Sequence, residues 1–155
     1  MKVLMVCLGN ICRSPLAEGV LRKLAEEKGI VLEVDSCGTA DYHVGDAPDP
    51  RAVKKGHEHG FDISPLRGRQ FSVADFDAFD RIFVMDTQNY KDVIAKARTR
   101  DEMEKVQLMM SQLYPADKIN VPDPYYGDFD GFEEVYQMLV NSCEVFLSKV
   151  PVNEG

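Results

Sequence analysis

Four apolar residues, Val3-Leu4-Met5-Val6, run directly into Cys7-Leu8-Gly9-Asn10-Ile11-Cys12-Arg13-Ser14-Pro15. The first part reads as a buried strand. The continuation is short, contains a glycine and ends in residues that favour a helix start. Ser14 is a suitable cap and Pro15 suits the first helical position. Strand, tight loop and helix N-terminus in that order form an anion cradle. The backbone N–H groups from Leu8 through Gly9, Asn10, Ile11 and Cys12 to Arg13 can converge on one point. A cysteine at the floor of such a cradle places a nucleophile against the bound anion. An arginine at its rim offers a planar fork to phosphate oxygens. Helix N-termini and nearby cations also favour thiolate over thiol, so the segment would keep Cys7 in its nucleophilic form. Taken alone, it fits a plainer account too, with Cys7 a small apolar residue closing a buried strand.

The rest of the chain repeats the alternation. Residues 14–28 place Ala17, Val20, Leu21 and Leu24 on one helical face and stop at Gly29. Residues 31–37 read as a second strand. Asp49 caps a helix that Pro50 opens and that runs toward Gly60. Residues 71–79 suggest an acidic turn or short helix, and 81–86 a clearly buried strand. Thr87 is expected to cap a helix to about Ala97. Residues 106–110 are ambiguous and compatible with a fourth strand. Phe132, Val135, Leu139, Cys143, Phe146 and Val150 mark a long final helix.

Strands alternating with helices predict an α/β fold in a single domain spanning 1–155. The expected core is a four-stranded parallel sheet with helices on both faces, Rossmann-like or flavodoxin-like, with the phosphate-binding loop after the first strand. Ligands of such sheets bind beyond the carboxyl ends of the strands. Cys7, Ser36 and Asp86 fall at three of those ends, so the cradle lies where this architecture puts sites.

Charge narrows the function classes. The 155 residues carry a formal net charge of −8, which argues against a nucleic-acid partner held by phosphate contacts. An acidic protein that binds an anion must use a local site. The apolar run at the start is too short for a signal peptide, and no stretch is long enough to span a membrane. Four cysteines without a secretion signal suit free thiols in a reducing cytoplasm. His57 and His59 are two apart and share no helical face. With His43 they read as surface residues, so no metal is expected. Gly9 is not followed by a Gly-Lys-Ser/Thr spacing and no G-x-G-x-x-G occurs, so nucleotide binding has little support.

Val121-Pro122-Asp123-Pro124-Tyr125-Tyr126-Gly127-Asp128 is the second unusual segment. Prolines on both sides restrict Asp123 and exclude regular structure. A rigidly held carboxyl is what a general acid requires, although a plain Asp-Pro turn accounts for the same residues. Together the two segments describe phosphoryl transfer to sulfur. Cys7 attacks phosphorus, Arg13 and the amides hold the oxygens, and Asp123 protonates the departing oxygen and then activates water. No cofactor is needed.

Cys7 to Pro15 and Asp123 to Gly127 closely resemble the low-molecular-weight protein tyrosine phosphatase family. Asp35-Ser36, Gly38-Thr39, Asp49-Pro50-Arg51 and Met85-Asp86 extend the resemblance along the chain. The resemblance implies Cys7 as nucleophile, Arg13 as phosphate binder and Asp123 as general acid. It implies that Asn10, Ser14 and Ser36 form a network shaping the loop, and that Cys12 can form a disulfide with Cys7. Tyr42, Tyr125 and Tyr126 would line the cleft, the last two being phosphorylation sites in some members. Implied substrates are phosphotyrosine proteins or small aryl phosphates, with inorganic phosphate and vanadate as inhibitors. A monomer or weak homodimer is expected. Two positions depart from the family pattern. No histidine stands within residues 64–70 to support the loop asparagine, and Cys37 replaces a common alanine. Arsenate reductases look similar in fold and loop, but need a relay of further thiols. Arginine phosphatases resemble this loop with threonine where Ile11 stands here, and the bulkier Ile11 favours phosphotyrosine.

Overall fold

The computed structural model describes residues 1–126 and 129–151, and only the backbone of Tyr126, Phe129 and Asp130. Its strands are β1 (Lys2–Cys7), β2 (Glu33–Gly38), β3 (Arg81–Val84) and β4 (Val106–Leu108). Its helices are α1 (Arg13–Glu27), α2 (Pro50–Glu58), α3 (Ala74–Ala78), α4 (Thr87–Ile94), α5 (Arg100–Glu104) and α6 (Phe129–Ser148). All strand pairs are parallel, in the order β2-β1-β3-β4. The expected four-stranded α/β sheet is therefore present, and of residues 106–110 the first three supply its fourth strand before the chain passes into a 3-10 turn at Met109–Gln112.

Alternation along β1 sorts the core into two layers. Val3 and Met5 pack with α1 and α6 on one face, while Leu4 and Val6 pack with Phe76, Ile82, Val84 and Val93 on the other. On the first face the Phe83 and Phe146 rings meet edge to face, 5.0 Å between centroids. Burying such a side chain contributes ~1.5–3 kcal/mol. Cys37 lies fully buried in the second layer, where its extra atom over alanine is absorbed by packing.

Local details differ from the expectation at the helix starts. The N-cap of α1 is Cys12, without a side-chain cap bond, and Ser14 and Pro15 sit inside the first turn. Asp86, not Thr87, caps α4. Its carboxylate accepts from the Asn89 N–H, and the Asn89 side chain accepts from the Asp86 N–H. Asp49 caps α2 as expected, accepting from the Arg51 N–H at 2.8 Å. The second strand starts at Glu33 instead of Val31, and the short helix α5 had no clear signal. No helix among the described residues is long and apolar enough to cross a membrane.

Candidate active site

Strand register brings three strand ends together. Cys7 pairs with Gly38, and Val6 pairs with Val84 two residues before Asp86. The chain then turns from Cys7 into α1 through a loop that Asn10 closes with φ of 58°, a left-handed backbone that asparagine tolerates better than most residues. Gly38 makes room for this loop. A Cβ at Gly38 would stand 2.7 Å from the Leu8 carbonyl oxygen.

Two groups point at the Cys7 sulfur. The Asn10 N–H donates to it at 3.3 Å, and the Ser14 hydroxyl lies 3.0 Å away. Ser14 thus gives its side chain to the sulfur instead of to the helix end, and its proton can serve Cys7 or the Cys37 carbonyl at 3.3 Å. The amides of Gly9, Ile11 and Cys12 donate to no acceptor among the described residues. They line the start of α1 and are available to an anion.

Behind the sulfur runs a polar chain. The Asn10 side-chain amide donates to Ser14 at 2.8 Å and to Ser36 at 3.0 Å, and Ser36 donates to Glu18 at 2.7 Å. Burial raises the Glu18 pKa, opposed by hydrogen bonds from Ser36 and Arg22. The Asn10 side-chain oxygen Oδ1 accepts from the Arg69 backbone N–H at 3.1 Å. A backbone amide therefore supplies the support that the missing histidine would have offered. The Arg69 guanidinium is in turn gripped by Asp35 and Asp75. All three residues expected in this network, Asn10, Ser14 and Ser36, take part. Glu18 and Arg69 were not anticipated. The available signal for Glu18 was a carboxylate four residues after Ser14 on an otherwise apolar helical face.

Arg13 is almost completely buried. Its Nη1 donates to Asp86 at 2.7 Å and to the Val121 carbonyl at 3.0 Å, and its Nη2 lies 3.6 Å from Asp123. Burial works against its charge, but Cys7, Asp86 and Asp123 outweigh burial and hold its pKa above the ordinary value. Asp123 uses its other oxygen to accept from the Tyr125 N–H at 3.0 Å. One carboxylate oxygen thus closes the turn while the other faces Arg13.

These groups line a cavity of about 60 Å³ with Cys7 and Arg13 inside, Asp123 at one side, and Tyr42 and Tyr125 at the mouth. The side chain of Tyr126 lies outside the described residues. Arg51 ties the mouth to α2, donating to Asp49 at 2.9 Å and to the Tyr125 carbonyl at 3.2 Å. His43, expected as a surface residue, lines the cavity, its ring 3.0 Å from where a Cβ on Gly9 would stand. His59 is also no simple surface residue. It stacks on Tyr136, with 3.7 Å between centroids, and approaches Glu133.

Glu58, His59 and Glu133 are close enough to share a cation. That place is taken by the Lys55 ammonium, 2.8 Å from both carboxylates. Bonds from Lys55, Gln137 and His59 lower the Glu133 pKa to about 2. The cluster clamps α2 to α6 and is remote from Cys7. All four cysteines are free and buried. Burial, the Asp49 charge and Cys7 push the Cys12 pKa up. Cys37 and Cys143 are fully buried, unlike the accessible thiols that a relay needs.

The family model for low molecular weight phosphotyrosine protein phosphatase matches residues 2–154. The pig low molecular weight phosphotyrosine protein phosphatase is 42% identical over 151 residues, covering 96% of this chain and 94% of the pig protein. A protein tyrosine phosphatase from Entamoeba histolytica, solved with Hepes in its active site, superimposes with a TM-score of 0.90 at 37% identity, covering 96% of each chain. A Drosophila arginine phosphatase superimposes with a TM-score of 0.88 at 37% identity, covering 96% of each chain. With the sheet, the loop after its first strand and this similarity over nearly every residue, the chain belongs to the low-molecular-weight phosphotyrosine protein phosphatases.

Proposed function

We propose that this phosphatase hydrolyses phosphotyrosine monoesters through a cysteinyl-phosphate intermediate. The observation that carries this reading is the meeting of Cys7, Arg13 and Asp123 around one cavity. The Cys7 thiolate attacks phosphorus, the bond to the aryl oxygen breaks, and Asp123 gives that oxygen its proton. Water then attacks the phosphocysteine and loses its proton to the Asp123 carboxylate. The phosphorus–sulfur bond breaks, and the thiolate is restored as phosphate leaves. Asp86 and Val121 both hold Nη1 of Arg13. Nε and Nη2 remain as the fork for the equatorial oxygens, with the loop amides beside them. The scheme uses no metal. Inorganic phosphate and vanadate should compete with substrate by occupying the same cradle.

Ile11 favours an aromatic ester over phosphoarginine, because it fills the cavity wall with a branched side chain. The likeness to a Drosophila arginine phosphatase makes phosphoarginine the informative competitor. Initial rates on phosphotyrosine, phosphoserine and phosphoarginine peptides decide. Phosphotyrosine should be fastest, and Ile11→Thr should raise the phosphoarginine rate relative to it. A wild-type preference for phosphoarginine would overturn the substrate assignment.

Oxidation provides a further expectation. Cys7 and Cys12 stand at the two ends of one short loop, and we expect peroxide to join them in a disulfide that dithiothreitol reverses. Bound phosphate should protect. Peptide mapping after peroxide checks this: irreversible loss of activity with no linked Cys7–Cys12 peptide rejects the switch. Four buried free thiols suit a reducing compartment such as the cytoplasm.

A further inference from the structure

A second cavity is far roomier than the one at Cys7. A cleft of about 870 Å³ runs along β4, at the outer edge of the sheet, and shares no lining residue with the Cys7 cavity. Its walls come from α4, from the segment after β4 and from the end of α6. Four cations line it: Arg81, Lys91, Lys118 and Lys149. Asp117 is the one acidic residue in its lining. No ion pair engages any of the four cations among the described residues. Arg81 donates to the Asp80 carbonyl and Lys149 to the Gln112 side chain.

This local balance opposes that of the whole chain, which has 26 acidic and 18 basic residues. A cleft in which charge of one sign gathers, against the sign of the protein, concentrates ions of the other sign. Between the cations the lining is mainly apolar, with Leu108, Val150, the Tyr90 ring and an edge of the largely buried Phe146. The walls are also tied to one another without help from a ligand. The Thr87 N–H donates to the Asn120 side chain at 3.0 Å, joining α4 to the opposite segment. Gln112 donates to Gln107 at 3.2 Å, and Ser111 to the Leu108 carbonyl at 2.6 Å. A preformed cleft of this size with an apolar lining and a few convergent polar groups has the character of a small-molecule site.

We propose that the β4-edge cleft is a second ligand site, separate from the cysteine loop. Its ligand is a small amphiphilic polyanion, an apolar or aromatic body of nucleotide size carrying at least two phosphate, sulfate or carboxylate groups. A hydrocarbon would leave the four cations without a counter-charge. A bare inorganic anion would leave the apolar lining in water. Three of the four cations are lysines, whose flexible point charges suit anions spaced around a body better than one bidentate contact.

The test is calorimetric titration of the full-length protein with 1,5-naphthalenedisulfonate, a dianion the enzyme cannot hydrolyse, with vanadate saturating the cysteine loop. Saturable binding at one site is expected, with a dissociation constant below about 1 mM. The double variant Lys118→Glu/Lys149→Glu should weaken it by about tenfold or more, equivalent to ~1.4 kcal/mol. Lys96→Glu, an exposed charge outside the cleft, should leave it unchanged. Hydrolysis of p-nitrophenyl phosphate at the wild-type rate shows that each variant is folded. Absence of saturable binding overturns the proposal, as does an equal loss in Lys96→Glu and the double variant, which marks general charge attraction. Because the cysteine loop is blocked throughout, neither result bears on the hydrolytic reading.

Discussion

Cys7→Ser is expected to abolish hydrolysis of aryl phosphates while the protein still binds phosphate and vanadate. The serine hydroxyl is close in size to the thiol but is scarcely ionised at neutral pH, so the loop keeps its shape and loses its nucleophile. Steady-state rates with p-nitrophenyl phosphate and calorimetric titration with vanadate measure the two halves separately. Residual activity above about a tenth of wild type, a loss of only ~1.4 kcal/mol, would falsify the assignment of Cys7. Arg13→Lys should be nearly as damaging. An ammonium cannot hold Asp86 and the Val121 carbonyl while also presenting two parallel donors to phosphate oxygens. Both binding and rate should therefore fall, which distinguishes Arg13→Lys from Cys7→Ser.

Asp123→Asn should show an effect that depends on the leaving group. A general acid helps most where the departing oxygen most needs a proton, with gains of about 10²–10⁴-fold. Phenyl phosphate and a phosphotyrosine peptide should slow by that order, and an ester of a very acidic phenol far less. The basic limb of the pH–rate profile should vanish as well, because it records loss of the proton that the acid must donate. Phosphate affinity should change little, since the carboxylate is 3.6 Å from Nη2 of Arg13 and does not provide its main anchor. Asp128→Asn, with the same charge change five residues on, is the control. If Asp128→Asn gives the leaving-group dependence and Asp123→Asn does not, the wrong carboxylate has been assigned.

Contiguous features of the chain were legible from its order alone. β1, the loop and α1 follow one another without interruption, so local periodicity and turn chemistry reveal Cys7, Arg13 and the amides between them. Proline on both sides exposed Asp123 in the same way. The alternation of strands and helices sufficed for a parallel sheet, since parallel neighbours require crossovers. Even so, the local rules misplaced two caps. Ser14 is a sound cap by type, but the Cys7 sulfur and the Asn10 amide compete for its hydroxyl, and the folded loop brings both within 3.0 Å. Thr87 yields to Asp86 because the latter can cap α4 with one oxygen and hold Arg13 with the other.

Tertiary structure alone decided contacts between distant residues. Arg13 and Asp86 are 73 apart in sequence, Asn10 and Arg69 are 59 apart, and Ser36 reaches Glu18 from another element. Each contact depends on strand register, on Cys7 lying beside Gly38 and Val6 beside Val84. Nothing in either strand's own residues specifies that alignment. The β4-edge cleft is the extreme case, since its cations come from four segments whose spacing carries no pattern. Short-range propensity and periodicity act within a few residues of the chain and can be read along it. Register, burial and the meeting of charges arise only when the layers pack, because only then does one segment become the environment of another.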